Sequence, residues 1–130
     1  MQRLTQSKFA HLATVGEDGR PHIVPFVFAL DGDTLYFAVD AKPKTTTNLK
    51  RLSNIAANPA VSVLVDHYED DWSKLWWVRA DGTAHVVAET AEAEHAMELL
   101  ANRYAQYRAA RPPGPVVAIH IDRVIGWSGA

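Results

Sequence analysis

The segment from Lys42 to Arg51 reads KPKTTTNLKR and gathers four cations, three consecutive threonines and an asparagine, with no acid from Ala41 to Val65. Lysine, arginine and hydroxyl groups at this spacing are suited to anion binding. A helix N-terminus exposes unpaired N–H groups and a partial positive charge, so hydroxyls and cations around its first turn can hold a phosphate. Lys42, Lys44, Lys50 and Arg51 would supply charge, and Thr45, Thr46 and Thr47 hydrogen bonds without bulk. A solvated, charged helix start accounts for the same residues, so the segment by itself leaves both readings open.

A second concentration of unusual residues is DDWSKLWWV, which holds Trp72, Trp76 and Trp77. On a strand, Trp76 and Trp77 point to opposite faces, so one of them needs apolar cover outside the core, from a subunit interface or a flat aromatic ligand. Six histidines are scattered through the chain without metal-ligand spacing. They read as ordinary strand and surface residues and imply no metal site, with haem ligation by one of them left open.

Composition removes other chemistry. Zero cysteines exclude disulfides, thiolate nucleophiles and Cys-type zinc or iron–sulfur sites. A net charge of -2 and a pI near 6.3 argue against general nucleic-acid binding. Dinucleotide, P-loop, zincin and nucleophile-elbow motifs do not occur. No apolar stretch approaches the ~20 residues of a membrane span, and the N-terminus lacks an apolar signal core, so cytoplasmic residence is expected. A length of 130 residues fits a single domain, 1–130.

These residues must be carried by a mostly β framework. FAHLATV, PHIVPFVFAL and TLYFAVD, separated by Asp18-Gly19 and Asp31-Gly32, predict three antiparallel strands in a meander. Pro25 demotes the second of these to an edge strand or marks a bulge. Leu49, Leu52, Ile55 and Ala56 predict a helix ended by Asn58-Pro59 and capped by one of the threonines. VSVLVDHY predicts a buried strand, and LWWVRADGTAHVVA is either a hairpin or one long strand with a bulge at Asp81-Gly82. Thr90 to Ala110 predicts a long helix capped by Thr90, with Ala93, Met97, Leu100, Tyr104 and Tyr107 as its apolar stripe. VVAIHIDRVIGWS is a last strand, with alternation at Ile119, Ile121 and Ile125 broken near its end. The fold class is mainly β (α+β): a six- to seven-stranded antiparallel split β-barrel with flanking helices.

The order of AHLATVGEDGRPHIVPFVFALDGDTLYFAVDAKPKTTTNLKRLSNIAANPAVSVLVDHY and WWVRADGTAHVV resembles the pyridoxamine 5′-phosphate oxidase-like split β-barrel family over residues 7 to 128. The match is closest to its probable F420-dependent oxidoreductases. The resemblance implies a homodimer with two cofactor sites at the subunit interface, and one long strand through Asp81-Gly82. It also implies a phosphate held by Lys42, Lys44, Thr45, Thr46, Thr47, Lys50 and Arg51. The flavin-like ring would lie near Val24, Pro25 and Phe26, covered by Trp76 or Trp77 of the partner. Where true pyridoxamine phosphate oxidases carry an Arg-x-V-L-L-K type segment, this chain reads PHIVPFVF, without a cation. That departure speaks against a vitamin B6 substrate and weakens the case for tight flavin mononucleotide (FMN) binding.

The implied activity is reduction of an organic acceptor, such as a quinone or tetrapyrrole, by hydride from reduced F420. The cofactor brings the hydride chemistry, so no catalytic side chain is assigned. The alternatives are an FMN-dependent oxidoreductase of the same fold, or a non-catalytic cofactor carrier or haem-binding split barrel.

Overall fold

A computed structural model describes residues 2–39 and 46–130, with the side chains of 46–49 outside the description. Asp18-Gly19 and Asp31-Gly32 make tight turns because Gly19 and Gly32 adopt φ values of 80° and 61°. The first turn joins β1 (Ala10–Val15) to β2 (Pro21–Phe26), and the second joins β3 (Ala29–Asp31) to β4 (Thr34–Ala38). With β5 (Ala60–His67), β6 (Trp76–Val86) and β7 (Val116–Ser128), they form an antiparallel seven-stranded sheet in the order β2-β1-β5-β6-β7-β4-β3.

The expected meander is therefore corrected to two hairpins at opposite edges of the sheet. The run PHIVPFVFAL breaks at Val27-Phe28, where a side chain takes over the backbone hydrogen bonds that a strand neighbour would have made. The Tyr104 hydroxyl accepts from the Phe28 N–H at 3.2 Å and lies 2.9 Å from the Phe28 carbonyl. β2 is an edge strand, so Pro25 withdraws no hydrogen bond from a second neighbour.

β6 is one long strand, as the resemblance implied. Its register against β7 runs Asp81↔Arg123 and then Gly82↔Ile121, leaving Asp122 as the extra residue of a bulge. The sheet curls around one apolar interior that includes Leu12, Phe26, Phe28, Phe37, Val63, Val65, Val117 and Ile119. Full burial of side chains of this size stabilises by about 1.5–3 kcal/mol each.

β4 and the first half of β7 are buried on both faces. Leu35, Phe37, Val117 and Ile119 point inward, while Tyr36, Ala38, Val116 and Ala118 pack beneath α3 (Thr90–Arg103). All five expected stripe residues, Ala93, Met97, Leu100, Tyr104 and Tyr107, belong to that second cluster. Glu92 accepts from the Tyr36 hydroxyl at 2.7 Å, fixing the start of α3 to β4.

Two details of this helix differ from expectation. Glu89, not Thr90, is the N-cap residue, and it makes no side-chain cap bond. The helix also breaks at Tyr104, whose backbone is extended, before α4 (Ala105–Ala109), because Tyr104 is pinned to the Lys8 and Phe28 backbone. A short helix α1 (Gln2–Gln6), absent from the sequence reading, seats Leu4 wholly inside the core. No helix among the described residues is long and apolar enough to cross a membrane.

Candidate cofactor site

α2 (Thr46–Ala57) follows β4 and lies over the barrel rim where β1 and β6 end, touching both strands. Just beyond it, the Pro59 carbonyl accepts from the Ala84 N–H of β6 at 2.8 Å. Ile55 is buried and Leu52 packs on the core, but Ala56, expected on the same face, is exposed. Arg51 and Asn54 occupy the buried face instead, at 8% and 2% exposure. One helical turn apart, they share a stripe with Ile55, and the rim supplies polar contact that a closed apolar core would not. Asn54 Nδ2 donates to Thr14 Oγ1 of β1 at 3.0 Å.

The Arg51 guanidinium stands 5.4 Å from the Phe37 ring centroid. Phe37 in turn meets Phe26 edge-on at 5.3 Å. Burial pulls the Arg51 pKa below its usual value, against a smaller opposing influence from Tyr107. A cation is thus held in partly desolvated surroundings on an aromatic layer, where attraction to an anion is stronger than in open solvent.

β2 alternates as an edge strand should. Pro21, Ile23 and Pro25 are exposed, whereas His22, Val24 and Phe26 are more buried. Of the expected ring neighbours, Phe26 joins the core and the aromatic layer under Arg51, Val24 packs against the core, and Pro25 faces away. Lys50 is exposed on α2. Thr46 and Thr47 open α2, but their side chains lie outside the description; Lys42, Lys44 and Thr45 lie outside the described residues altogether.

The two tryptophans stand elsewhere. Trp76 opens β6, with Arg3 4.6 Å over its ring and the His67 imidazole stacked at 6.5 Å. It shares a cavity of about 450 Å³ with Pro25, Phe9 and His11. Trp77 points to the outer sheet face, lining a second cavity of about 430 Å³ with Leu64, Tyr68 and Arg79. The structure therefore groups Arg51 with Phe26, and Pro25 with Trp76, within a single chain.

Sequence reasoning missed Thr14, Asn54 and His22 at the rim. Asn54 was legible as the residue one turn beyond Arg51, and His22 as the residue two before Val24 on a strand. His22 Nδ1 is buried and has no hydrogen-bond partner among the described residues. No group of three or more histidine, cysteine, aspartate or glutamate side chains among the described residues could hold a metal ion.

No curated protein matches the chain. Among solved structures, a conserved hypothetical protein of Mycobacterium tuberculosis superposes with a TM-score of 0.78 at 21% identity, covering 98% of this chain and 81% of that one. A FAD-binding protein of Mesorhizobium loti gives 0.70 at 25% identity, covering 96% and 88%. The haem storage protein of Vibrio cholerae gives 0.73 at 15%, covering 98% and 89%. The family profile described as pyridoxamine 5′-phosphate oxidase matches residues 1–128, the whole span of the barrel from α1 to β7. With the seven-stranded split barrel in place beneath that match, the chain belongs to the pyridoxamine 5′-phosphate oxidase family.

Proposed function

We propose that this chain is an F420-dependent reductase, working as a homodimer and passing hydride from the reduced deazaflavin to an organic acceptor such as a quinone or tetrapyrrole. The observation that carries the reading is the burial of Arg51 at the barrel rim, over Phe37 and Phe26. A helix that only closed a barrel would do so at lower desolvation cost with an apolar residue there. An anionic cofactor is a partner that such a charge suits, and Lys50 on the same helix adds to the positive field. The order of strand and helix motifs, which resembles the F420-dependent members of the family, supports the deazaflavin.

The hydride chemistry belongs to the cofactor when bound. The chain's part is to hold the anion through Arg51 and Lys50, to shape the site with β2, and to exclude water. Dimer formation is supported by the outer face of β2, β1, β5 and β6, which lies away from the part of the sheet that α3 covers. Across it run Ile23, Ala13, Ser62, Asp81 and Arg123 in register, and Trp77 beside Trp127. Phe9, Ile23 and Trp127 stand exposed on or next to these strands and at the end of β7, apolar side chains that a second copy would cover. A second copy would bring Trp76 or Trp77 to the first copy's cofactor.

FMN in the same rim is the competing reading, favoured by the likeness to the FAD-binding protein of Mesorhizobium loti. Titrating purified protein with F420, FMN and haemin, read by fluorescence quenching and absorption, tests the assignment. Saturable binding of F420 with the stoichiometry of one per chain is expected, alongside a dimer by light scattering. Binding of FMN or haemin alone sinks the deazaflavin reading, and Arg51→Ala should cost the bound cofactor ~10- to 100-fold in affinity.

A further inference from the structure

We infer that His22 is a cofactor-contacting residue, its Nδ1 directed to an oxygen of the bound cofactor; the inference rests on the reading that the barrel rim holds one. β2 puts His22 on the same face as Val24 and Phe26. Its register partner on β1 is Thr14, which is 1% exposed. Thr14 Oγ1 accepts from Asn54, and Asn54 lies one turn after Arg51 on the buried side of α2. His22, Thr14, Asn54 and Arg51 thus draw polar groups from β2, β1 and α2 together at one rim of an otherwise apolar interior.

Within that set, Asn54 donates to Thr14, whereas His22 Nδ1 is buried with no hydrogen-bond partner among the described residues. A buried polar atom left unpaired is costly, and native proteins keep few of them without a reason. Valine or phenylalanine, which already fill the next two positions on this face, would avoid that cost. An imidazole repays it when a ligand oxygen meets the nitrogen, and as a donor Nδ1–H suits the oxygens of an anionic cofactor. His22 also stands two residues before Val24, in a strand that carries no other polar side chain.

The test compares the parent with His22→Leu and His22→Asn, measuring affinity for F420 and for FMN together with thermal melting of the cofactor-free protein. Asparagine can place an amide near the Nδ1 position and leucine cannot. The Leu variant is expected to bind ~10-fold more weakly, with an unchanged or raised melting temperature before cofactor is added. The Asn variant should recover most of the affinity. Affinity of the Leu variant within twofold of the parent overturns the inference, as does a fall in melting temperature shared by both variants with equal loss of binding. A parent that binds neither cofactor removes the functional reading itself, a result distinct from parent binding that ignores His22.

Discussion

The Asn54 side-chain amide of α2 donates to the Thr14 hydroxyl of β1 at 3.0 Å, and both side chains are almost wholly out of solvent. This bond fixes the helix to the barrel rim at the turn after Arg51. The contact is close on the other side too: a Cβ at Gly16 would stand 2.9 Å from Asn54 Oδ1, so glycine lets the amide lie against the chain.

Asn54→Ala leaves the Thr14 hydroxyl buried and unpaired, and is expected to cost about 2 kcal/mol in urea denaturation. Adding Thr14→Val removes the orphaned hydroxyl and should recover part of that loss. A double-mutant cycle with no coupling between the two positions would show that the bond does not hold α2 in place.

Asp81 gives a pH dependence with a definite sign. Burial pushes its carboxyl up, but hydrogen bonds from Arg79, Ser62 and Arg123, with the charge of Arg79, outweigh this and bring it down to about 2 from 3.8. A folded pKa below the unfolded one contributes stability that is complete above the unfolded value and is lost as pH falls from about 4 toward 2. With its side chain 22% exposed, Asp81 contributes about 2 kcal/mol at neutral pH on this basis. The gap in unfolding free energy between the parent and Asp81→Asn should shrink as pH falls through that window. A gap that stays constant from pH 7 to 3 would rule the linkage out.

How far the sequence led depends on whether the controlling interaction was local. Asp-Gly turns, the period-two strands and the stripe of α3 were legible because each is set by neighbours along the chain. The break at Val27-Phe28 was not, since it comes from Tyr104, 76 residues away. Nor was the exchange of Ala56 for Asn54 on the buried side of α2, which follows from where Thr14 lies on another element. At the site, Arg51 was legible as a cation early in a helix. Its burial over Phe37 depends on the barrel curling β4 beneath α2, and the pairing of Pro25 with Trp76 likewise needs four strands in order. The split of the bulge between Asp81-Gly82 and Asp122 was half visible: the Asp-Gly pair marked the place, and the resemblance decided between hairpin and bulge.

That bulge supplies a steric prediction. A Cβ on Gly82 would stand 2.3 Å from the His120 carbonyl oxygen, which is backbone and cannot turn aside. Gly82→Ala is expected to destabilise by more than about 2 kcal/mol. Gly126→Ala, on the strand opposite, would meet the Trp77 carbonyl oxygen at an ordinary 3.6 Å and serves as the control. Equal melting temperatures for the two variants would mean that β6 and β7 can shift their register freely at the bulge.

Tyr104→Phe tests whether one hydroxyl divides β2 from β3. The group accepts from the Phe28 N–H and lies within donating distance of the Lys8 carbonyl at 2.8 Å and of the Phe28 carbonyl at 2.9 Å. Burial raises its pKa, against the Phe28 hydrogen bond and the Arg103 charge, so it stays a neutral phenol able to donate and accept. Phenylalanine keeps the ring, with its Tyr107 contact, and removes only the hydroxyl. The expected cost is about 1–3 kcal/mol. Hydrogen exchange at the Phe28 amide should quicken more than at Val63, which lies within β5, two strands in from β2. Unchanged protection at Phe28 would mean that the chain turns there without the hydroxyl, and that the ring contacts alone set the two hairpins apart.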